Sequence, residues 1–310
     1  MRFRKLLGLI MAVMLIAAAC SDDDDNTTTT ASGSPSGGAA GGTLGRVQQA
    51  KSIKVGVKFD QRGFGLKNPT TGEVEGFDVE IANSIVAAIG SDVRVEFVEA
   101  VSKNREPFLE DGTVDMVVAT YTINDTRKQV VDFAGPYFVA RQDIMVKSDD
   151  TSITSVEDLN GKKVCSVTGS TSEKNVTAKA PSAEVTLFDA YALCAEALTD
   201  GRVDAVTTDD TILVGFVSDS NGAFKLVENP FSDEPYGIGV KKGDDEFRTF
   251  INDHLEKIFE NGDWAKAFES TLGAIGLKTP ETPEVDRYTE TPPAPSTTAA
   301  ASSAAPTTAN

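Results

Sequence analysis

The stretch VVATYTINDTRKQVVDFAGPY, residues 117–137, places an apolar run, a polar loop with one arginine and a second apolar run in close succession. Its first part belongs to Val114–Thr120, a nearly continuous apolar segment of the kind a parallel strand covered on both faces requires. Upstream, Ile53–Val57 reads as a strand, and Asp78–Ile89 carries apolar residues at helical spacing and stops at Gly90. Val93–Val98 then reads as a strand and Arg105–Glu110 as a short helix. This is a βαβαβ unit, and the carboxyl ends of its parallel strands are where such sheets bind ligands. Thr120, Thr122 and Arg127 therefore fall at the cleft-facing end. Spacing alone leaves two uses open for Arg127: a planar donor fork for a carboxylate, or a surface ion pair with Asp125 or Asp132 of small value.

A second cycle follows Lys147. It runs through a turn-rich segment at Ser155–Gly161, strand Lys163–Val167, a Gly169-Ser170 turn and a helix from Ser172. Strand Val185–Phe188, helix Tyr191–Asp200 and strand Ala205–Thr207 complete it. The chain ends its periodic part with strand Tyr236–Val240 and two helices, Asp244–Glu260 and Asp263–Leu272, which have no sheet of their own. The economical packing is α/β and two-lobed, with residues 44–141 and 236–277 in lobe 1 and residues 142–235 in lobe 2. The chain then crosses between lobes twice, near 140–147 and 230–237, and a small ligand belongs between them.

The termini read differently. Arg2, Arg4 and Lys5 precede an apolar run, Leu6–Ile16, that is too short for a bilayer span and leads through Ala17–Ala19 to Cys20. Residues 1–19 are thus a signal peptide. The stretch LIAAAC resembles a lipobox, which makes Cys20 the acylated first residue of the mature chain and a lipid the link to the membrane. Residues 20–43 are acidic and then Thr/Ser/Gly-rich, a flexible tether, and residues 278–310 form a Pro/Thr/Ala-rich tail unable to build a core. The net charge of −18 argues against nucleic acid or anionic lipid as a binding partner. Outside the cytoplasm Cys165 and Cys194 read as a disulfide. The single histidine, His254, reads as a surface helix residue, and with no CxxC spacing no metal site is expected. No Gly-rich phosphate cradle is present either, so no cofactor is expected.

Several separated motifs carry a resemblance: VGVKFDQRGFGL, EGFDVEIA, NREPFLEDGTVDMVVATYTINDTR, VVDFAGPYF, CSVTGSTSE, GRVDAVTTDDTIL, YGIGVKKGD and NGDWAKAF. From Ile53 to Leu272 the chain resembles the extracytoplasmic amino-acid-binding proteins of ABC importers, solute-binding protein family 3. Within that family it looks like the actinobacterial glutamate-binding lipoproteins. The resemblance implies a type II periplasmic-binding-protein clamp acting as a monomer, an amino-acid ligand and permease subunits as partners. It implies that Arg127 grips the α-carboxylate with help from Thr120, Thr122, Ser170 and Thr171, and that Asp209 receives the α-ammonium. Asp204 and Asp210 are the alternatives to Asp209; Asp204 reads as a turn residue, and Asp210 faces away if Asp209 faces in. Gln61 stands where many members carry a stacking aromatic, and Lys58 and Arg105 stand where binders of acidic amino acids reach the second carboxylate. Glutamate is the implied ligand, then aspartate, glutamine or asparagine. Two alternatives share the scaffold: a cleft enzyme of the arogenate or prephenate dehydratase kind, for which Glu173 or Asp210 could be the acid, and a sensory module.

Overall fold

The computed structural model describes residues 42–288, so the signal peptide, Cys20 and most of the tether lie outside the described residues. The chain opens with helix α1 (Thr43–Ala50), strand β1 (Ser52–Val57) and three short strands, β2 (Asp60–Gln61), β3 (Gly65–Lys67) and β4 (Val74–Glu75). Helix α2 (Phe77–Ile89), strand β5 (Arg94–Glu99), helix α3 (Arg105–Glu110), strand β6 (Met116–Val117) and helix α4 (Asp125–Lys128) follow. A long strand, β7 (Val131–Lys147), leads to β8 (Lys163–Val167), α5 (Thr171–Lys179), β9 (Glu184–Phe188), α6 (Tyr191–Thr199) and β10 (Ala205–Asp209). The last elements are α7 (Asp210–Asp219), β11 (Phe224–Leu226), β12 (Ser232–Lys241), α8 (Asp245–Glu260) and α9 (Asp263–Ser270).

One curled mixed sheet contains all but the small β2-β3-β4 sheet, in the order β5-β1-β6-β12-β7-β10-β8-β9, with β11 on β7. Parallel pairs β1–β5 and β1–β6 make one half, and parallel pairs β8–β9 and β8–β10 make the other. Between them β7 and β12 run antiparallel from Val131↔Lys241 to Gln142↔Ser232. At Gln142 β7 exchanges β12 for β10, which pairs with it at Asp209↔Gln142. The two halves are thus joined by two adjacent extended strands, an arrangement that allows hinge closure.

Strand β7 contains Pro136, which lacks a ladder donor and argues against a central strand. The ladder adapts: β12 shifts register between Tyr236 and Ile238, opposite Gly135-Pro136. The freed groups bond elsewhere, Gly135 N–H to Asn252 Oδ1 at 2.8 Å and Gly237 N–H to Tyr121 O at 2.9 Å. Aromatic rings close the core here. Phe77 packs edge-on against Trp264 at 5.7 Å, and the Trp264 indole donates to Tyr137 O at 2.8 Å.

Four expectations change. The run Val114–Thr120 pairs only over Met116–Val117, because Thr120 turns to φ 44°, a left-handed conformation costly for a β-branched residue. Helix α7 and the β2-β3-β4 sheet were not anticipated. His254 is not a surface residue: it is half-buried, with its ring nitrogen 2.8 Å from Ser84 Oγ of α2. The tail reading also fails for its first part. Tyr288 Oη accepts from Phe133 N–H at 2.8 Å, its ring lies 4.1 Å from Lys128 Nζ, and Arg287 is ion-paired with Asp253 and Glu256. Residues 285–288 therefore form a strap held by cation–π contacts and hydrogen bonds, which the Pro/Thr composition around them concealed.

Cys165 of β8 and Cys194 of α6 form a disulfide across a separation of 29 residues. Closing a loop of that size stabilises by about 3 kcal/mol through the unfolded chain. Replacing both cysteines by serine should therefore lower the melting temperature by roughly 6–12 °C in calorimetry.

Candidate functional site

Where α3 and the loop after β6 in one half meet α5, α6 and β10 of the other, a narrow cavity remains with a volume of only about 10 Å³. It is lined by Arg105, Thr120, Thr122, Ser170, Thr171 and Asp209, together with Ser102, Ser172, Tyr191, Thr208 and Ile212. That is room for about one water molecule, so the cleft is shut and the two halves must part to admit a ligand of amino-acid size. A wider surface groove around Arg62, Glu75, Glu80 and Thr271 gathers none of the nine residues singled out from sequence.

Six of those nine line the cavity and three lie directly behind it. Lys58 Nζ donates to Ser102 Oγ at 2.9 Å, and Gln61 Oε1 accepts from Thr120 Oγ1 at 3.0 Å. Arg127 is held by the carbonyls of Thr122 at 2.6 Å and Gly169 at 3.0 Å and by Glu106 at 3.1 Å. Its ion partner is thus Glu106; Asp132 pairs with Lys242 instead. Because Gly169 lies in the opposite half, Arg127 ties the two halves together. Gly169 is also required for contact: at φ 81° a Cβ there would stand 2.8 Å from Lys103 Cα.

The strand ends explain the positions. Asp78, in the first turn of α2, takes Thr120 N–H at 2.9 Å and the Tyr137 hydroxyl at 2.5 Å, so a helix-terminal carboxylate holds the strained bend that turns Thr120 and Thr122 into the cavity. Arg105 donates to Ala119 O and Thr120 O, both at 3.0 Å. Its second terminal nitrogen has no partner among the described residues. The Tyr121 ring is in contact with both guanidiniums, with Arg105 Cζ at 4.3 Å and Arg127 Cζ at 4.9 Å from its centroid. Cation–π contact with one ring offsets part of the repulsion between the two like charges.

On the facing half Ser170 caps α5, accepting from Glu173 N–H at 2.9 Å and donating to Val167 O at 2.8 Å. Glu173 receives Gly169 N–H at 2.7 Å and is part of that cap. The N–H groups of Thr171 and Ser172 have no partner among the described residues, which leaves two donors at the positive end of α5. Asp209 ends β10, takes the Tyr236 hydroxyl on Oδ2 at 2.5 Å, and has Oδ1 buried without a partner. Its rivals are occupied elsewhere: Asp204 accepts Lys163 N–H at 2.8 Å, and Asp210 pairs with Arg141 at 3.3 Å.

Closure dehydrates these charges. Burial, then the nearby Glu234, pushes Asp209 up to about 8 although Tyr236 opposes the shift. Burial and then Arg105 bring Lys58 down to about 7, and burial raises Asp78 to about 7 against its hydrogen bonds from Tyr137 and Thr120. A shut cavity therefore holds charges that favour a counter-ion: a cation beside Asp209 and an anion near Lys58 and Arg105. Ser102 and Tyr191 joined the site unannounced by any motif, and Thr208 lies within GRVDAVTTDDTIL but was not singled out. Glu234 was also missed, and only its place before Pro235 on the joining strand could have marked it.

Residues 53–274 match the bacterial extracellular solute-binding proteins, family 3. The chain belongs to that family. This family 3 protein is 44% identical over 232 residues to the ABC transporter glutamine-binding protein GlnH of Bacillus subtilis, covering 74% of this chain and 84% of that one. It is 41% identical over 233 residues to the glutamate-binding protein GluB of Corynebacterium glutamicum, covering 72% and 79% respectively. Among solved structures, an ancestral arginine-binding protein bound to glutamine matches with a TM-score of 0.68 and 40% identity, over 72% of this chain and 98% of that chain. The two-lobed fold expected from the motifs is therefore the family's own. Like other members the protein is extracytoplasmic, and among the described residues no helix is long and apolar enough to cross a membrane.

The Asp209 shift has a sign that can be measured. With its pKa raised from 3.8 to about 8, its contribution to stability is present in acid and is lost as pH rises through that window. Asp209→Asn should therefore raise the melting temperature of the unliganded protein over wild type, by a margin that grows from pH 5 to pH 8 in scanning fluorimetry.

Proposed function

We propose that this protein is the lipid-anchored extracytoplasmic binding subunit of an ABC importer, working as a monomer that captures an acidic amino acid and presents it to the permease. The observation that carries the reading is the opposition of unlike charge across one narrow cleft between the halves. Asp209 offers a buried, unpartnered carboxylate oxygen on one side, and Arg105, backed by Lys58 and Arg127, offers cations on the other. The zwitterion's ammonium belongs at Asp209. Its α-carboxylate belongs between the free N–H groups of α5 and the arginine side, where Arg127 positions Thr122 and the Gly169 turn. A second carboxylate belongs near Lys58, since a buried anion without cationic partners costs several kcal/mol. Glutamate meets all three demands, and the relatives named for glutamate and glutamine support the class. The protein is a binding subunit and not an enzyme: Glu173 and Asp210, the nominated acids, are engaged in a helix cap and a surface ion pair.

Calorimetric titration of ligand-stripped protein with glutamate, aspartate, glutamine and asparagine tests this. Glutamate should bind tightest, and binding no tighter than millimolar by all four would overturn the reading. Lys58→Met should weaken glutamate at least tenfold and leave glutamine within about threefold, a loss of roughly 1.4 kcal/mol or more. Because Lys58 keeps its charge below about 7 and a bound carboxylate holds the proton on, preference for glutamate over glutamine should fall as pH rises from 7 to 9. Cys20→Ser should move the protein from the membrane to the soluble fraction.

A further inference from the structure

Glu234 lies on β12, one residue before Pro235, and is 1% exposed. Its two oxygens receive four donors. Oε1 accepts from Ser232 Oγ at 2.7 Å and Asn175 Nδ2 at 3.0 Å; Oε2 accepts from Thr122 Oγ1 at 2.8 Å and Thr171 Oγ1 at 2.7 Å. Thr122 belongs to the half that carries Arg127, Thr171 and Asn175 belong to α5 of the other half, and Glu234 stands on the strand that joins them. The two threonine oxygens are only 3.4 Å apart.

A threonine hydroxyl has one proton and two lone pairs, and a carboxylate only accepts. Both hydroxyl protons are committed to Glu234, so the faces that Thr122 and Thr171 turn to the cavity can only accept. We infer that Glu234 is a positioning residue that sets the hydrogen-bond polarity of the Thr122–Thr171 pair, assigning that corner of the cavity to the ligand's ammonium and not to its carboxylate. The inference rests on the amino-acid reading above and revises one part of it: the threonines are acceptors for N–H groups, and the carboxylate draws its donors from Arg105 and the start of α5. Asp209 fits the same division, since Glu234 is, after burial, the next contributor to its raised pKa, and two carboxylates beside one corner favour a cation there. The contact geometry also links ligand to motion. The pair forms only when Thr122 and Thr171 meet across the cleft, so the ammonium corner is complete only in the closed protein.

Glutarate, which is glutamate without the ammonium, provides the readout. Glu234→Gln removes the negative charge from this corner and replaces one accepting oxygen by a donor NH₂; with the NH₂ facing Thr122 and Thr171, at least one of their hydroxyls must turn its proton towards the cavity. The wild type should prefer glutamate over glutarate in calorimetric titration. Glu234→Gln should reduce that preference at least tenfold, and Glu234→Asp, which retains the acceptor charge, should restore part of it. A wild type that binds neither glutamate nor glutamine overturns the functional reading itself. A wild type that binds glutamate, with an unchanged glutamate-to-glutarate ratio in Glu234→Gln, overturns this inference alone. If Glu234→Gln does not fold, Thr171→Val gives the same test: loss of glutamate affinity with glutarate retained supports the assignment, and equal loss of both defeats it.

Discussion

The antiparallel pairing of Val131–Lys147 with Ser232–Lys241 is the constraint on which the rest of the molecule depends. Each half of the sheet has its own parallel strands and covering helices, and the largest apolar cluster runs through both, from Val55 and Phe77 to Cys194 and Val206. This two-stranded ribbon is the joint that sets how they face one another, with Arg127 and Gly169 adding a contact across the cleft. It also carries chemistry. Tyr236 bonds Asp209, Tyr137 bonds Asp78, and Glu234 bonds threonines from both sides, so the strands that permit bending also hold groups on and behind the cavity. A change of angle at the ribbon must alter those contacts at once.

The charge distribution follows from this mechanics. An open cleft leaves Asp209, Lys58 and Arg105 hydrated, whereas a shut one removes water and leaves their electrostatics to whatever lies between. The shifted pKa values of Asp209 and Lys58 are the signature of that desolvation. A zwitterion returns opposite charges to both ends at once, so its differential affinity for the closed form is what moves the equilibrium. Neutral or singly charged molecules of similar size satisfy one end only.

Much of this was legible in the chain. Helix Arg105–Glu110 and strand Lys163–Val167 have the same limits in sequence and structure, because apolar spacing and flanking turns agree locally there. The nine residues singled out from spaced motifs lie on or directly behind one cavity in the fold. What stayed hidden is non-local. Pro136 disguised β7, whose ladder survives only because a distant strand supplies the compensating bulge. Glu234 drew no reading, since its donors at 122, 171, 175 and 232 come from well-separated parts of the chain. The strap at 285–288 depends on Lys128 and Arg248 embracing Tyr288, a contact that no period reveals.

At the rim of the cleft, contacts differ in kind from those inside. Lys103 and Asp189 meet at 2.7 Å with side chains 43% and 53% exposed, and Arg62 meets Asp219 in a comparably wet setting. Such pairs are weak and are screened by salt over a Debye length of about 8 Å at physiological ionic strength, while the buried contacts are screened far less. The outer latch thus responds to the medium and the inner grip does not. For a protein that faces the surroundings of its cell, dilution of those surroundings would prolong residence of a captured nutrient, and brine would hasten its escape.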